Sequence, residues 1–384
     1  MNGDIWRNVC YRYVMRDARQ PYLAYLDSLR GIAALGVAAF WHYQQFSSIS
    51  QSGYPPFSAS PLFGVPPFHS LYNYGYLFVD LFFMISGVVF GHVYGAAIAE
   101  RRIGFARFAW LRFARLYPLH LLTLLLAGGL AWLFHAYTGR FPTHEYNDAR
   151  HFIANLLFLQ VVPGLCRGLS FNAPAWSLST EAMMYGLFFI VAAAGRARTV
   201  APLLVGLGLA GWLCGGDLAF MRGLVGFFGG LLIQHMSARS LLHRAIVPLL
   251  FCVFLLLVQT GAMPRAAGVE PSFAYAWAAA AVLLTVLQAS PLLQRLLEVR
   301  PLRALGDLSL GIYLLQVPVQ FLVLLVLVRL QIVAPTGSLA FWAGVAALEV
   351  AAAWAVHVSF ERPARNWLRA LPSRRKPSWS ERPA

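Results

Sequence analysis

A histidine, an aspartate and a glutamate lie inside runs that are otherwise apolar. His42 ends LDSLRGIAALGVAAFWH (26–42), Asp80 sits in GYLFVDLFFMISG (75–87), and Glu181 sits in WSLSTEAMMYG (176–186). Ionisable groups in such surroundings are expensive, so each is a functional candidate. Neutral imidazole can take the proton from an attacking hydroxyl near pH 7. A neighbouring carboxylate can orient the ring and stabilise the imidazolium. The three residues therefore suit general-base chemistry, with His42 as base and Asp80 or Glu181 as its orienting acid. Each also has a plainer role open to it. His42 lies between Trp41 and Tyr43 and could belong to an interfacial aromatic belt. Glu181 could complement a helix N-terminus starting near Pro174.

A second group is basic. In RFAWLRFARLYP (107–118), Arg112 and Arg115 are three apart and share one helical face. Such a fork matches the charge and geometry of phosphate groups. Its bland alternative is a basic anchor on anionic lipid. Ser86 and Gly87 read as residues of close helix packing rather than as a nucleophile.

The elements that must hold these residues are membrane helices. Of 384 residues, 59% are apolar and only 12% charged, against about 25% charged in a soluble domain. Spanning a bilayer needs about 20 mostly apolar residues. Ten segments qualify: 28–46, 74–95, 117–137, 175–194, 199–214, 219–236, 242–261, 272–290, 305–330 and 338–359. The fifth and sixth are short or Gly-rich. The stretch 151–162 reads as a short external or half-inserted helix, being only a dozen residues followed by Pro-Gly.

Loop charge orients the set. With the N-terminus inside, every one of the 30 Lys and Arg residues falls on the inner face except Arg140, Arg150, Arg167, Arg222, Arg265 and Arg329. The fold expected is an all-α integral membrane protein of about ten helices with both termini cytoplasmic. Residues 1–21 form a polar N-terminal segment, 22–368 the transmembrane domain, and 369–384 a basic tail that reads as disordered. The formal charge of +15 is scattered through short loops rather than gathered in a stripe, which argues against nucleic-acid binding. Cys10, Cys166, Cys214 and Cys252 show no CxxC or His-paired spacing, so neither a disulfide framework nor a metal site is supported. On this topology His42, Asp80 and Glu181 share the outer half of the membrane and could surround one cavity. The outer loops 43–73 and 138–174, the latter with His144, Glu145, Asp148, His151 and Asn172, could line an acceptor site or be solvated covers. His92 and Glu349 suggest no more than polar contacts between helices, and Asp307 and Glu361 read as interfacial.

These motifs, taken in order, resemble acyltransferase family 3, integral membrane O-acyltransferases that acylate sugars and other hydroxyl acceptors. LDSLRGIAALGVAAFWH is similar to the family's first-span motif through Arg30, Gly31 and the catalytic-type His42. FVDLFFMISG resembles the second-span motif through Asp80, Phe82, Phe83, Ser86 and Gly87. RFAWLRFARLYP is similar to the arginine motif implicated in acyl-CoA handling, at Arg112, Arg115 and Pro118. WSLSTEAMMY matches through Trp176, Ser177, Glu181 and Tyr185, while LGDLSLGIYLLQVPV (305–319) and SFERPARNWL (359–368) look like the closing elements. The resemblance covers about residues 22–368.

It implies an acyl-CoA-dependent O-acyltransferase of the bacterial inner membrane, acetyl-CoA being the expected donor substrate with no permanently bound cofactor. The acceptor would be an exported or cell-surface carbohydrate. Catalytic residues would be His42, Asp80 and Glu181. Substrate would be held by Arg30, Arg112, Arg115, Ser86, Trp176, Tyr185, Tyr313 and Gln316. The partners expected are membrane lipid, the donor and the hydroxyl acceptor. A covalent acyl-histidine relay stays open. A transporter of a polyol, glycan lipid or anion is the rival class.

Two departures bear on the site. Eleven residues separate Arg30 from His42, where the family usually has ten. One extra residue rotates a helix by about 100°, so the pair should face differently unless a bulge absorbs it. Gln316 stands where the family commonly has histidine; it can hydrogen-bond but cannot titrate.

Overall fold

The computed structural model describes residues 22–48, 68–142, 146–162, 164–166, 168–237, 241–263, 266 and 269–371. His144, Glu145, most of the loop 43–73, the N-terminal segment 1–21 and the tail from 372 lie outside the described residues. The described chain is all-helical, and eight helices are long and apolar enough to cross a membrane. It is a multi-pass membrane protein. Two of the ten expected segments fall outside that set. The fifth is a helix of 17 residues, Ala197–Leu213. The first is helical but broken, and its interruption bears directly on the site.

That segment starts as α1 (Ala24–Leu35) and passes into a π-helical turn at Gly36–Trp41, then a 3-10 turn at His42–Gln44. A π-turn is an α-helix with one residue inserted. The eleven-residue interval between Arg30 and His42 thus contains the bulge that absorbs its extra residue.

The remaining helices of eight or more residues are α2 (Phe78–Val93), α3 (Phe105–Thr138), α4 (Ala149–Leu156), α5 (Trp176–Ala193) and α6 (Ala197–Leu213). They are followed by α7 (Leu218–Met236), α8 (Leu241–Gln259), α9 (Ser272–Ala289), α10 (Arg300–Arg329), α11 (Leu339–Val356) and α12 (Arg362–Ala370). The short α4 covers the first half of the stretch 151–162, read as an external or half-inserted helix.

Two helix pairs hold the centre, α2 against α7 and α1 against α10. Both are contacts between backbones. A Cβ on Gly87 would lie 1.8 Å from the carbonyl oxygen of Phe227, and one on Gly230 would lie 1.9 Å from that of Met84. Gly31 and Gly306 close the α1–α10 crossing in the same way, at 2.6 Å and 2.4 Å from opposing backbone. In lipid the hydrophobic effect gives helices little reason to associate, so small residues that admit close van der Waals approach drive the packing. The packing role expected of Gly87 is what the fold uses.

Candidate active site

The helices α2, α5, α7 and α9 begin at one end of the bundle, while α1, α3 and α10 come from the other. Between them lies a cavity of about 100 Å³ lined by Arg30, Arg112, Arg115, Ser86, Glu181, Tyr185 and Tyr313, with aliphatic and aromatic neighbours. Six of the eight residues expected to hold substrate are therefore together. Arg30 Nη2 donates to Ser86 Oγ at 3.2 Å, and Ser86 Oγ donates to Glu181 Oε1 at 2.9 Å. The hydroxyl of Tyr185 donates to the same Glu181 oxygen. Glu181 is consequently fixed by α1, α2 and its own helix, and it faces guanidinium groups rather than His42.

The arginines are held from behind by rings. The Arg112 guanidinium carbon lies 5.2 Å from the Phe90 ring centre and 4.9 Å from that of Tyr94, and the group donates to the Tyr94 hydroxyl. Such stacking keeps a cation in place without consuming all its donors. Arg112 Nε is buried with no hydrogen-bond partner among the described residues. Three guanidinium groups and one carboxylate line this cavity, and although Arg30 also reaches Asp27 at 3.6 Å outside the lining, the surplus of positive charge suits an anion.

His42 does not line the cavity; it sits beyond its far end. Tyr313 of α10 lines that end, and Gln316, one turn further along the same helix, is 3.0 Å from His42 Nδ1 through its Oε1. Gln316 Nε2 donates to the Tyr313 carbonyl at 2.7 Å, which fixes the amide's orientation. Its oxygen must then accept, so the network assigns the proton to Nδ1 of His42 and the basic lone pair to Nε2. That is the tautomer a general base needs. Asp80 and Glu181, expected beside His42, bond other groups, and the neutral amide of Gln316 is a partner of its Nδ1.

Asp80 belongs to a third network. It is fully buried and receives Arg222 Nη2 at 2.7 Å and Nε at 3.1 Å, together with Trp277 Nε1 at 3.0 Å. Arg222 is 5% exposed and lies between the rings of Trp176 and Phe273, 4.8 and 4.6 Å from their centres. Trp176 therefore backs the cavity wall through Arg222 and Phe83 rather than facing the cavity. Of His42, Asp80 and Glu181 only Glu181 lines this cavity, and each is engaged by a different partner.

Sequence reading gave Arg222 no role. The signal was an arginine five residues into an apolar helix, with an unmatched aspartate at a comparable depth in another span; such charges pair. Glu361, read as interfacial, is buried at 3% exposure against His357 at 2.9 Å and Arg365 at 3.3 Å. His92 and Glu349 make the polar contacts between helices expected of them, to Gln234 and Gln320.

A family described as "Acyltransferase domain" matches residues 23–358. "Protein 2 in picA locus" of Rhizobium radiobacter is 34% identical over 174 residues, covering 42% of this chain and 78% of that protein. Acyltransferase MdmB of Streptomyces mycarofaciens is 32% identical over 166 residues, covering 42% of this chain and 37% of its own length. No solved structure matches the chain.

Proposed function

This chain belongs to that acyltransferase family, and from this premise we propose that it moves an acyl group, acetyl in the first instance, from acyl-CoA to a hydroxyl of an exported or cell-surface carbohydrate. Membership decides against the transporter. The observation that carries the donor assignment is the cavity itself, where Arg30, Arg112 and Arg115 converge and buried Arg112 Nε keeps an unspent donor. A polyphosphate with a thioester tail fits that chemistry. The concentration of Lys and Arg on one face supports placing the arginine end of the cavity toward the cytoplasm of a bacterial inner membrane, with both termini on that side.

In the proposed reaction His42 Nε2 takes the proton of the acceptor hydroxyl as the oxygen attacks the thioester carbon. The C–S bond breaks, and the imidazolium returns its proton to the departing CoA sulfur. Atoms balance without a further reactant. Gln316 holds the ring in the basic tautomer throughout. Glu181, through Ser86 and Tyr185, holds Arg30 at the donor rather than serving His42, which moves it from the catalytic pair to the binding wall. Asp80 acts on the site only by anchoring Arg222 behind Trp176.

Purified protein supplied with labelled acetyl-CoA and isolated cell envelopes tests the reading. His42→Ala should abolish label transfer while donor binding and membrane abundance stay normal. Normal transfer by that variant would sink the base assignment, and wild-type protein that neither binds acetyl-CoA nor releases CoA would sink the donor.

A further inference from the structure

The cavity is graded along its length. Its lining on α2 runs from Phe90 to Val79, roughly 16 Å at helical rise. Arg112 lies near the Phe90 end, Ser86 and Glu181 lie midway, and the end at Val79, Phe82 and Tyr313 has no charged group. A molecule with phosphates at one end and a small apolar group at the other fits in one direction only. The uncharged end is also the one next to His42, since Gln316 stands about 4.5 Å of helical rise beyond Tyr313.

Two rings close that end. The centroids of Phe82 and Tyr313 are 5.7 Å apart and their planes inclined by 60°. Tyr313 is tethered: its hydroxyl donates to the Pro174 carbonyl at 3.0 Å and accepts from Ser177 Oγ at 3.0 Å. Phe82 opposes it with no polar tether of its own. Behind the pair, Phe83 meets Trp176 edge-on at 6.0 Å, and Trp176 is pinned by the cation of Arg222. The wall cannot retreat on that side, and close-packed interiors resist added methylenes.

We propose that Phe82, set against the tethered Tyr313 ring, gauges the acyl group, favouring acetyl and discriminating against longer chains. This rests on the reading of the cavity as the acyl-CoA site. A hydrophobic pocket discriminates by about 10–200-fold per methylene, so a single ring suffices to set the limit.

The test uses membrane vesicles from cells producing the full chain, supplied with acetyl-CoA, butyryl-CoA or hexanoyl-CoA, with released CoA measured against vesicles lacking the chain. Wild type should prefer acetyl-CoA over hexanoyl-CoA by at least about tenfold. Phe82→Ala should raise the hexanoyl-to-acetyl ratio by about tenfold or more. Should that variant fail to accumulate, Phe82→Leu should raise the butyryl-to-acetyl ratio in the same direction. Unchanged ratios in an accumulating variant, or a wild type that uses hexanoyl-CoA as fast as acetyl-CoA, overturn the gauge while leaving the donor reading intact. A wild type releasing CoA from none of the three overturns the donor reading and the gauge with it.

Discussion

His42 shows what a neutral partner can do. Gln316 Oε1 can only accept, because the amide nitrogen is spent on the Tyr313 carbonyl. Replacing Gln316 by Leu removes that acceptor and frees the ring to choose the other tautomer. The expected outcome is a fall in kcat of about tenfold or more, part of the roughly 10²–10⁴-fold that a positioned general base contributes, with the acetyl-CoA KM nearly unchanged. Arg115 should show the opposite split. Arg115→Ala removes binding made equally in ground and transition state, so the donor KM rises by about tenfold or more while kcat moves little. Arg115→Lys should restore only part of it, since an ammonium cannot offer a planar fork. Steady-state kinetics with acetyl-CoA as the varied substrate distinguish all three variants.

Helix geometry sets what those residues can reach. The π-turn at Gly36–Trp41 is one residue of slack between Arg30 and His42. Deleting Ala38, inside the turn, should convert it to regular α-helix and keep both side chains on their present faces; the protein should accumulate and transfer label. Deleting Ile32, before the turn, leaves the bulge and rotates Arg30 away from Ser86 by about 100°, so transfer should be lost. Equal activity of the two deletions would contradict the register argument. At the α2–α7 crossing, Gly87→Val puts carbon where the Phe227 carbonyl already sits. Backbone cannot yield as a side chain can, so the folded protein should vanish from detergent extracts in size-exclusion chromatography.

The same scale carries a pH effect at α4. Asp148 accepts from the backbone N–H of His151 at 2.9 Å, and its carboxyl is held below the usual aspartate range chiefly by that bond and then by the His151 ring. Because the folded value is depressed, the cap's contribution is present above the ordinary aspartate pKa of about 4 and is lost as pH falls through the lower folded value. Asp148→Ala should speed amide exchange of α4 at neutral pH, and the difference from wild type should shrink only in strong acid.

Across the whole molecule, one ion pair ties the bundle together at the end where α2, α5, α7 and α9 begin. Asp80, Arg222 and Trp277 come from three helices, and Trp176 brings a fourth. Breaking a buried pair by removing one partner costs about 3–5 kcal/mol, whereas replacing both can be nearly neutral. Arg222→Leu alone should therefore abolish detergent-stable protein, and the double change Asp80→Asn with Arg222→Leu should recover much of the melting temperature. A double variant as unstable as the single one would show that the ring stacking on Arg222, rather than its charge, holds the helices.

The sequence by itself determined the membrane character, the helical class, the family and the identity of most cavity residues. Composition, apolar run length and motif order are local properties of the chain, so they can be read without knowing what touches what. The motifs named Arg30, Ser86, Arg112, Arg115 and Tyr185 one by one, but that they converge, with Glu181 among them, is a matter of tertiary structure. Tertiary structure alone decided the pairings. Three titratable groups read as sharing one outer depth have separate partners, because depth along a helix says nothing about the direction a side chain faces. Asp80 turned to Arg222, Glu181 to Ser86 and Arg30, and His42 to Gln316. The π-turn is of the same kind: an inserted residue is visible in the spacing, but where the helix absorbs it shows only in the structure, with Phe78 against Gly36 and Gly75 against Trp41.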